Sequence, residues 1–394
     1  MTDAPGALDQ LKPLHTHCIV AALSHMAMNG SRLTVMLLAA SLDASPALIG
    51  LLAALYGLIS AFTAVRTGRW IDRIGPRRPM LVAAFMITLG CVIAGVFQNM
   101  IALFISAALV GTYHSTSQMT THQSVGRYGK PGDRAANFSV HSLAISFATL
   151  LGPLASGLAI DHLGYSGAFY LCAAFGFAPM AVLLLRLLKL PARHAHEKAQ
   201  ATPVSGWALL RDRNLRMAYI AAATNNAIWS VWGFMLPLYG HSISLSATAI
   251  GTLSACLSGG SVCIRLTMGM LIRRYSQWAL IIAAQVMVAV GLFGMPFTQI
   301  YAALIALAFL TGLGLGLAGP LATTVMYDAS PPDKVGEVIG LRMTMANLAQ
   351  TLVPLLSGAV GATFGVGPVF WAVSAAMMGG AWMNREKLDK RTHC

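Results

Sequence analysis

The chain has 394 residues, 56% of them hydrophobic and only 10% charged, against roughly 25% charged in an ordinary soluble domain. That composition excludes a soluble globular protein. Lys and Arg number 26 against 13 Asp and Glu, a net charge of +13; in a water-soluble chain this would point to nucleic acid, but the placement of the charges excludes that partner.

Residues 1–13 are polar and lack the charged start, short apolar core and small-residue cleavage site of a signal peptide, so the first apolar helix is expected to stay in the mature chain. From there apolar runs of about 20 residues, the length that crosses a bilayer, recur to the end. Hydropathy predicts spans near 14–42, 47–67, 80–98, 101–124, 135–160, 167–188, 215–240, 247–270, 278–297, 301–325, 336–361 and 368–384. The expectation is an all-α membrane protein of twelve transmembrane helices. The longest polar segment, residues 189–214, contains Pro191 and Pro203, as a connector would. Residues 1–190 are therefore read as an N-terminal six-helix half, 191–213 as a cytoplasmic linker and 214–394 as a C-terminal half with a short cytoplasmic tail.

If the first span starts in the cytoplasm, 22 of the 26 basic residues fall in loops and tails on one side. The other four, Arg32, Arg66, Arg265 and Arg342, lie within spans, and the opposite loops carry Asp43 and Asp161 instead. The positive-inside rule then puts both termini in the cytoplasm and accounts for the net charge without nucleic acid. Cys18, Cys91, Cys172, Cys256, Cys263 and Cys394 are dispersed with no CxxC pair, so no disulfide framework, metal site or cofactor is expected. Neither an HExxH motif nor a nucleotide-binding loop is present, which argues against an enzyme and against ATP-driven pumping.

The two halves repeat. Adding 201 carries Gly50 to Gly251, Gly90 to Gly291, Gly111 to Gly312, Pro153 to Pro354, Gly157 to Gly358, Gly164 to Gly365 and Phe169 to Phe370, with no gap over roughly 120 residues. Glycine and proline fill backbone roles that other residues cannot, so their shared register argues for duplicated six-helix units. Six is even, so both copies insert the same way round, the parallel arrangement of alternating-access transporters.

Between the second and third spans stands Gly68-Arg-Trp-Ile-Asp72-Arg73-Ile-Gly75-Pro76-Arg77-Arg78, which closely resembles the signature loop of the major facilitator superfamily. With twelve spans and a central connector, the resemblance covers essentially the whole chain. It implies a secondary transporter working by alternating access, a multi-pass protein of the inner (cytoplasmic) membrane. It further implies that Gly68, Asp72, Arg73, Gly75 and Arg77 form a conformational gate, Asp72 acting near the start of span eleven; the alternative is that they serve only as topogenic charges. The second copy has Arg273 where the first has Asp72, so it lacks the acid. In span five, Gly152, Pro153 and Gly157 resemble the glycine-proline motif of the family's exporters, with Ala148 and Ser156 where those often have glycine. Small residues there let spans five and eight approach closely, and close packing alone would explain them equally well.

Spans three, six, nine and twelve are almost uniformly apolar and are expected to face lipid. Span four carries Thr112, Tyr113, His114, Ser115, Thr116, Ser117, Gln118, Thr120 and His122, and span seven carries Thr224, Asn225, Asn226, Trp229 and Trp232; unsatisfied polar groups are costly in hydrocarbon, so both are expected to line water or substrate. Trp229 or Trp232 could flank a substrate or simply pack. An arginine near the bilayer centre costs about 2.5 to 3.5 kcal/mol, and no embedded carboxylate is expected to offset it; Glu337 is the nearest local candidate, for Arg342. A surplus of positive charge is relieved by an anion. Arg265, Arg342 and Arg32 are therefore the substrate-binding candidates, with Asn225, Trp229 and His114, and with snorkelling or carbonyl capping as the alternative role for each arginine. His114, His25 and His141 are the candidates for proton coupling; ordinary core packing is the alternative for each.

The leading reading is transport of a small organic anion. The alternative is a proton-coupled efflux antiporter for lipophilic or cationic compounds, favoured by span five and by 21 methionines, which make adaptable walls. The expected partners are a small-molecule substrate, the lipid bilayer and protons as a candidate coupling ion, with the protein acting as a monomer.

Overall fold

In the computed structural model the described residues are 7–125, 128, 134–188, 190, 213–329 and 335–385. They form α1 (Ala7–Ser41), α2 (Pro46–Ile74), α3 (Arg77–Phe97), α4 (Met100–Val125), α5 (Arg134–Leu184), α6 (Arg213–Ser242), α7 (Ala247–Arg274), α8 (Gln277–Gly294), a short 3-10 turn (Met295–Phe297), α9 (Tyr301–Ala329), α10 (Val335–Phe364) and α11 (Val366–Asn384). The fold is all-α. Spans five and six, expected to be separated by residues 161–166, are the two arms of α5, which meet at a kink inside that interval. Only Gly164 inside it leaves helical geometry, at φ 72° and ψ 180°. Ser156 Oγ and Cys172 Sγ, eight residues to either side of that glycine, lie 3.3 Å apart, so the chain doubles back there. Thus α5 is two spans turning back at Gly164, and the described helices are consistent with twelve spans.

Among the described residues, eight helices are long and apolar enough to cross a membrane, and α2 is apolar over Pro46–Ile59. The protein is a multi-pass membrane protein. Large apolar side chains stand exposed on α3, α8 and α11, among them Val96, Phe97, Phe293 and Trp382, a surface that water would not tolerate and lipid does. The isolated polar residues of these helices pair inside: Asn384 donates to Gln285 Oε1 at 3.0 Å, and Ser374 donates to the Ala289 carbonyl at 2.7 Å.

The chain divides into two compact units, one of Met1–Asp43, Leu55–Ala199 and Ser246–Gly251, the other of Ala44–Ala54, Gln200–Leu245 and Thr252–Cys394. The expected linker, residues 191–213, lies outside the described residues but for the first residue of α6. In the first unit α1 packs on α4 and α5, and α3 on α4 and α5. In the second, α6 packs on α9 and α10, and α8 on α9 and α11. Its largest described core gathers Leu215, Tyr219, Leu317, Leu321, Met326 and Val338, and the Tyr219 hydroxyl donates to the Val338 carbonyl at 3.0 Å.

The 201-residue register is written into these contacts. Gly90 faces the Ser106 carbonyl, and Gly291 faces that of Leu307, so both partners of the contact keep the same offset. Gly111 lies on Tyr56, and Gly312 on Leu257, again in register. Asp43 and Ser244, which follow α1 and α6, take the same left-handed turn at φ 55° and 57°. Gly164 and Gly365 share φ 72° and 83°, a conformation that glycine adopts without penalty. The repeat seen in the sequence is therefore kept in the contacts and turns of the described residues.

Candidate functional site

In the first unit the polar residues converge where α1 meets α2 and α4. The guanidinium of Arg32 sits over the Tyr56 ring, 5.5 Å from its centroid, and is half-buried. Its Nε is enclosed with no hydrogen-bond partner, as is the Tyr56 hydroxyl. Cation–π contact returns about 0.5 to 2 kcal/mol, less than the cost of an arginine in hydrocarbon. The only acids with described side chains are Asp43 and Asp161, and both stand at helix ends. His114 Nδ1 lies 3.1 Å from Met28 Sδ, within electrostatic range of Arg32.

The histidines form a group along α1. His25 lies within electrostatic range of His114 and His141, and His17 within range of His141. His17 is fully buried; its Nδ1 is 3.4 Å from the Tyr128 hydroxyl and its ring meets the Tyr128 ring edge-on at 5.7 Å. Sequence reasoning missed His17 and Tyr56. His17 precedes His25 by eight residues, two helical turns on one face, which was a usable signal; Tyr56 carried none.

Much of the polarity of α4 is spent locally. Thr112, Thr116 and Thr120 donate to the carbonyls of Ala108, Thr112 and Thr116 at 3.0, 3.0 and 2.9 Å, so a helix can carry such hydroxyls without facing water. In α6, Asn226 and Ser230 do the same. Asn225 is buried beside Gly319 with its Oδ1 unbonded, and it lines a small cavity with Gln285, Ile228 and Met377. Trp229 is half-buried, while Trp232 is buried with its Nε1 unbonded. Arg265 is exposed on α7 and Arg342 is half-buried on α10. Glu337, the candidate partner of Arg342, lies outside the residues with described side chains.

At the signature loop, the side chains of Gly68 and Asp72 lie outside the described residues. Arg73 is exposed. Gly75 turns the chain at φ 81° with open space around it, and the Arg77 guanidinium donates to the Leu183 carbonyl near the end of α5. Because only backbone strain opposes a side chain at Gly75, Gly75→Ala is expected to cost about 1 to 2 kcal/mol and Gly75→Asn less, since asparagine tolerates the left-handed region better. Thermal unfolding in detergent checks the order.

The span-five motif divides its contacts. Gly152 faces α1, where an added methyl would stand 2.8 Å from the Met26 carbonyl oxygen. Gly157 faces the first turn of α7, where a methyl would run into the Ala247 carbonyl. Gly251 of α7 faces back on Pro153, 2.6 Å from its carbonyl oxygen by the same measure. The repeat-related crossing, of α2 with α10, brings Gly50 against Pro354 and Gly358.

A twice-repeated bundle of membrane-spanning helices, with polar and cationic side chains held inside it, defines the class of transport proteins. The profile of the Major Facilitator Superfamily matches residues 18–284 and 218–391; the chain belongs to that family, and it is a transporter, not an enzyme. It is 24% identical over 359 residues to the multidrug resistance protein MdtG of Salmonella arizonae, covering 87% of this chain and 85% of that protein. It is 23% identical over the same length and shares to MdtG of Salmonella paratyphi B. Among solved structures, a mutant of the nucleoside transporter NupG is similar with TM-score 0.77 at 13% identity, covering 95% of this chain and 99% of that one. A bacterial homologue of the human lysosomal transporter Spinster gives TM-score 0.69 at 14% identity, over 95% and 93%. At such identities the structures speak for the fold alone.

Proposed function

We propose that this secondary transporter moves a small organic anion by alternating access. One observation carries the reading: Arg32 is half-buried on the face of Tyr56, its Nε has no acceptor, and no acid with a described side chain lies inside a span. A carboxylate or phosphate supplies what this guanidinium lacks. Arg265 and Arg342 are the proposed partners in the second half, with Asn225, Trp229 and His114 contributing polar and aromatic surface. Uptake of radiolabelled mono- and dicarboxylates into proteoliposomes tests the reading. Arg32→Gln, Arg265→Gln and Arg342→Gln should each remove uptake with expression intact, and wild-type rates in all three would defeat it.

Protons are the proposed coupling ion, carried by His114, with His25 and His141 as the other candidates. His114→Ala should abolish stimulation of uptake by a pH gradient while leaving ligand binding in place; unchanged pH-gradient dependence would contradict this role. The gate of Gly68, Asp72, Arg73, Gly75 and Arg77 is proposed on the family resemblance. We place the protein in the inner membrane as a monomer, with residues 1–190 and 214–394 as the two halves, 191–213 as linker and both termini in the cytoplasm.

A second reading, proton-coupled efflux of lipophilic or cationic compounds, is favoured by the multidrug resistance named for the relatives and by Gly152, Pro153 and Gly157.

A further inference from the structure

One polar contact breaks the symmetry between the two related crossings. Ser45 and Ser246, 201 apart, cap their helices alike: Ser45 Oγ accepts the Leu48 N–H at 3.3 Å and Ser246 Oγ accepts the Ala249 N–H at 3.1 Å. At α7 a carboxylate is added. Asp161, from the end of the first arm of α5, accepts the Ala247 N–H at 3.1 Å and the Thr248 N–H at 2.7 Å. The side chains of Ser246 and Thr248 also favour its charged form. At α2 both halves of this contact are missing. Pro46, which has no N–H, stands in the place of Ala247, and Ala362, which has no polar side chain, stands in the place of Asp161.

The groups facing Asp161 are the two N–H groups and the two hydroxyls; its chain neighbour His162 is exposed. Burial nudges the Asp161 carboxyl upward, but the hydrogen bonds from Thr248, Ala247 and Ser246 outweigh it and hold the group below its ordinary 3.8. A depressed carboxyl stabilises the contact in full above 3.8 and loses it only as the pH falls through the lower value of the closed form. The contact is therefore charged throughout the physiological range. It also sits at the positive end of a helix, where a carboxylate is favoured.

We propose that Asp161 is a positioning residue for transport: a latch that holds the first turn of α7 against α5 and must release whenever that crossing opens. It acts through α7, which carries Arg265, and it is independent of which substrate is moved. Among the described residues, the α2–α10 crossing is packed on glycine and shows no such carboxylate.

Hydrogen–deuterium exchange of the full-length protein in lipid nanodiscs tests this. Asp161→Ala should speed exchange about 5- to 20-fold, both in residues 248–251 of α7 and across the crossing in residues 154–158 of α5. Asp161→Glu should restore much of the protection. Ala247→Pro, which copies Pro46 at a helix position where proline is tolerated, should loosen the same two segments to a smaller degree, and it carries the test if Asp161→Ala fails to fold. Unchanged exchange at 154–158 in both variants would make the carboxylate a local helix cap and overturn the proposal.

Discussion

Alanine at Gly312 is expected to destabilise the protein far more than alanine at Gly111, although the two glycines hold the same place in the repeat. A methyl on Gly111 would stand 3.1 Å from the Tyr56 carbonyl oxygen and 3.2 Å from that of Leu55, tight contacts that a shift of a few tenths of an ångström relieves. At Gly312 it would run into the Leu257 carbonyl oxygen, with the carbonyl carbon at 2.7 Å and the Cα at 2.9 Å. Those atoms are helix backbone and cannot swing aside, so α7 and α9 must part along their length. Overpacking of this kind costs about 1 to 3 kcal/mol, and close approach of helices at small residues is a main source of cohesion in a membrane bundle. Thermal unfolding in detergent should show a marked fall in Tm for Gly312→Ala and a slight one for Gly111→Ala. Equal losses would mean that the two crossings are equally tight.

The second large effect is at Arg32. A hydrogen bond to a charged group contributes about 1.5 to 3 kcal/mol, so Arg32→Gln should lower kcat/KM for an anionic substrate by about 10- to 100-fold. Arg32→Lys keeps the charge but loses the flat fork that stacks on Tyr56 and grips a carboxylate with two N–H groups, and should recover only part of the rate. Tyr56→Leu removes the ring under the guanidinium and should weaken the anion less than loss of the charge does. Steady-state uptake of the best carboxylate in proteoliposomes ranks the three.

Much of the fold was legible because its signals are chemical and periodic. Apolar runs set the spans, and glycine and proline set the register of the repeat, as the paired positive φ at Gly164 and Gly365 and the crossings at Gly50 and Gly251 bear out. The break between spans five and six was legible, but its tightness was not. A polar stretch holding Asp161, His162 and Gly164 reads as a loop, whereas a single glycine at φ 72° turns one span back along the next. The local pairing in α4 was not legible either, since composition does not reveal that threonine hydroxyls fold back on the carbonyls of their own helix. Arg32 could be found from the cost of its charge, but its platform could not, because Tyr56 comes from another helix and has no pattern of its own. The Asp161 contact joins residues 86 and 87 positions apart, and only the fold brings them together.

The most direct test of anion transport is the melting temperature of the detergent-purified protein against matched panels of organic anions and lipophilic cations, since a ligand that binds the folded state stabilises it by RT ln(1 + [L]/Kd). Stabilisation by carboxylates or phosphates that disappears in Arg32→Gln is the predicted result. Stabilisation by cations alone, kept in full by Arg32→Gln, would contradict it and make the protein an exporter of cationic compounds with a structural arginine.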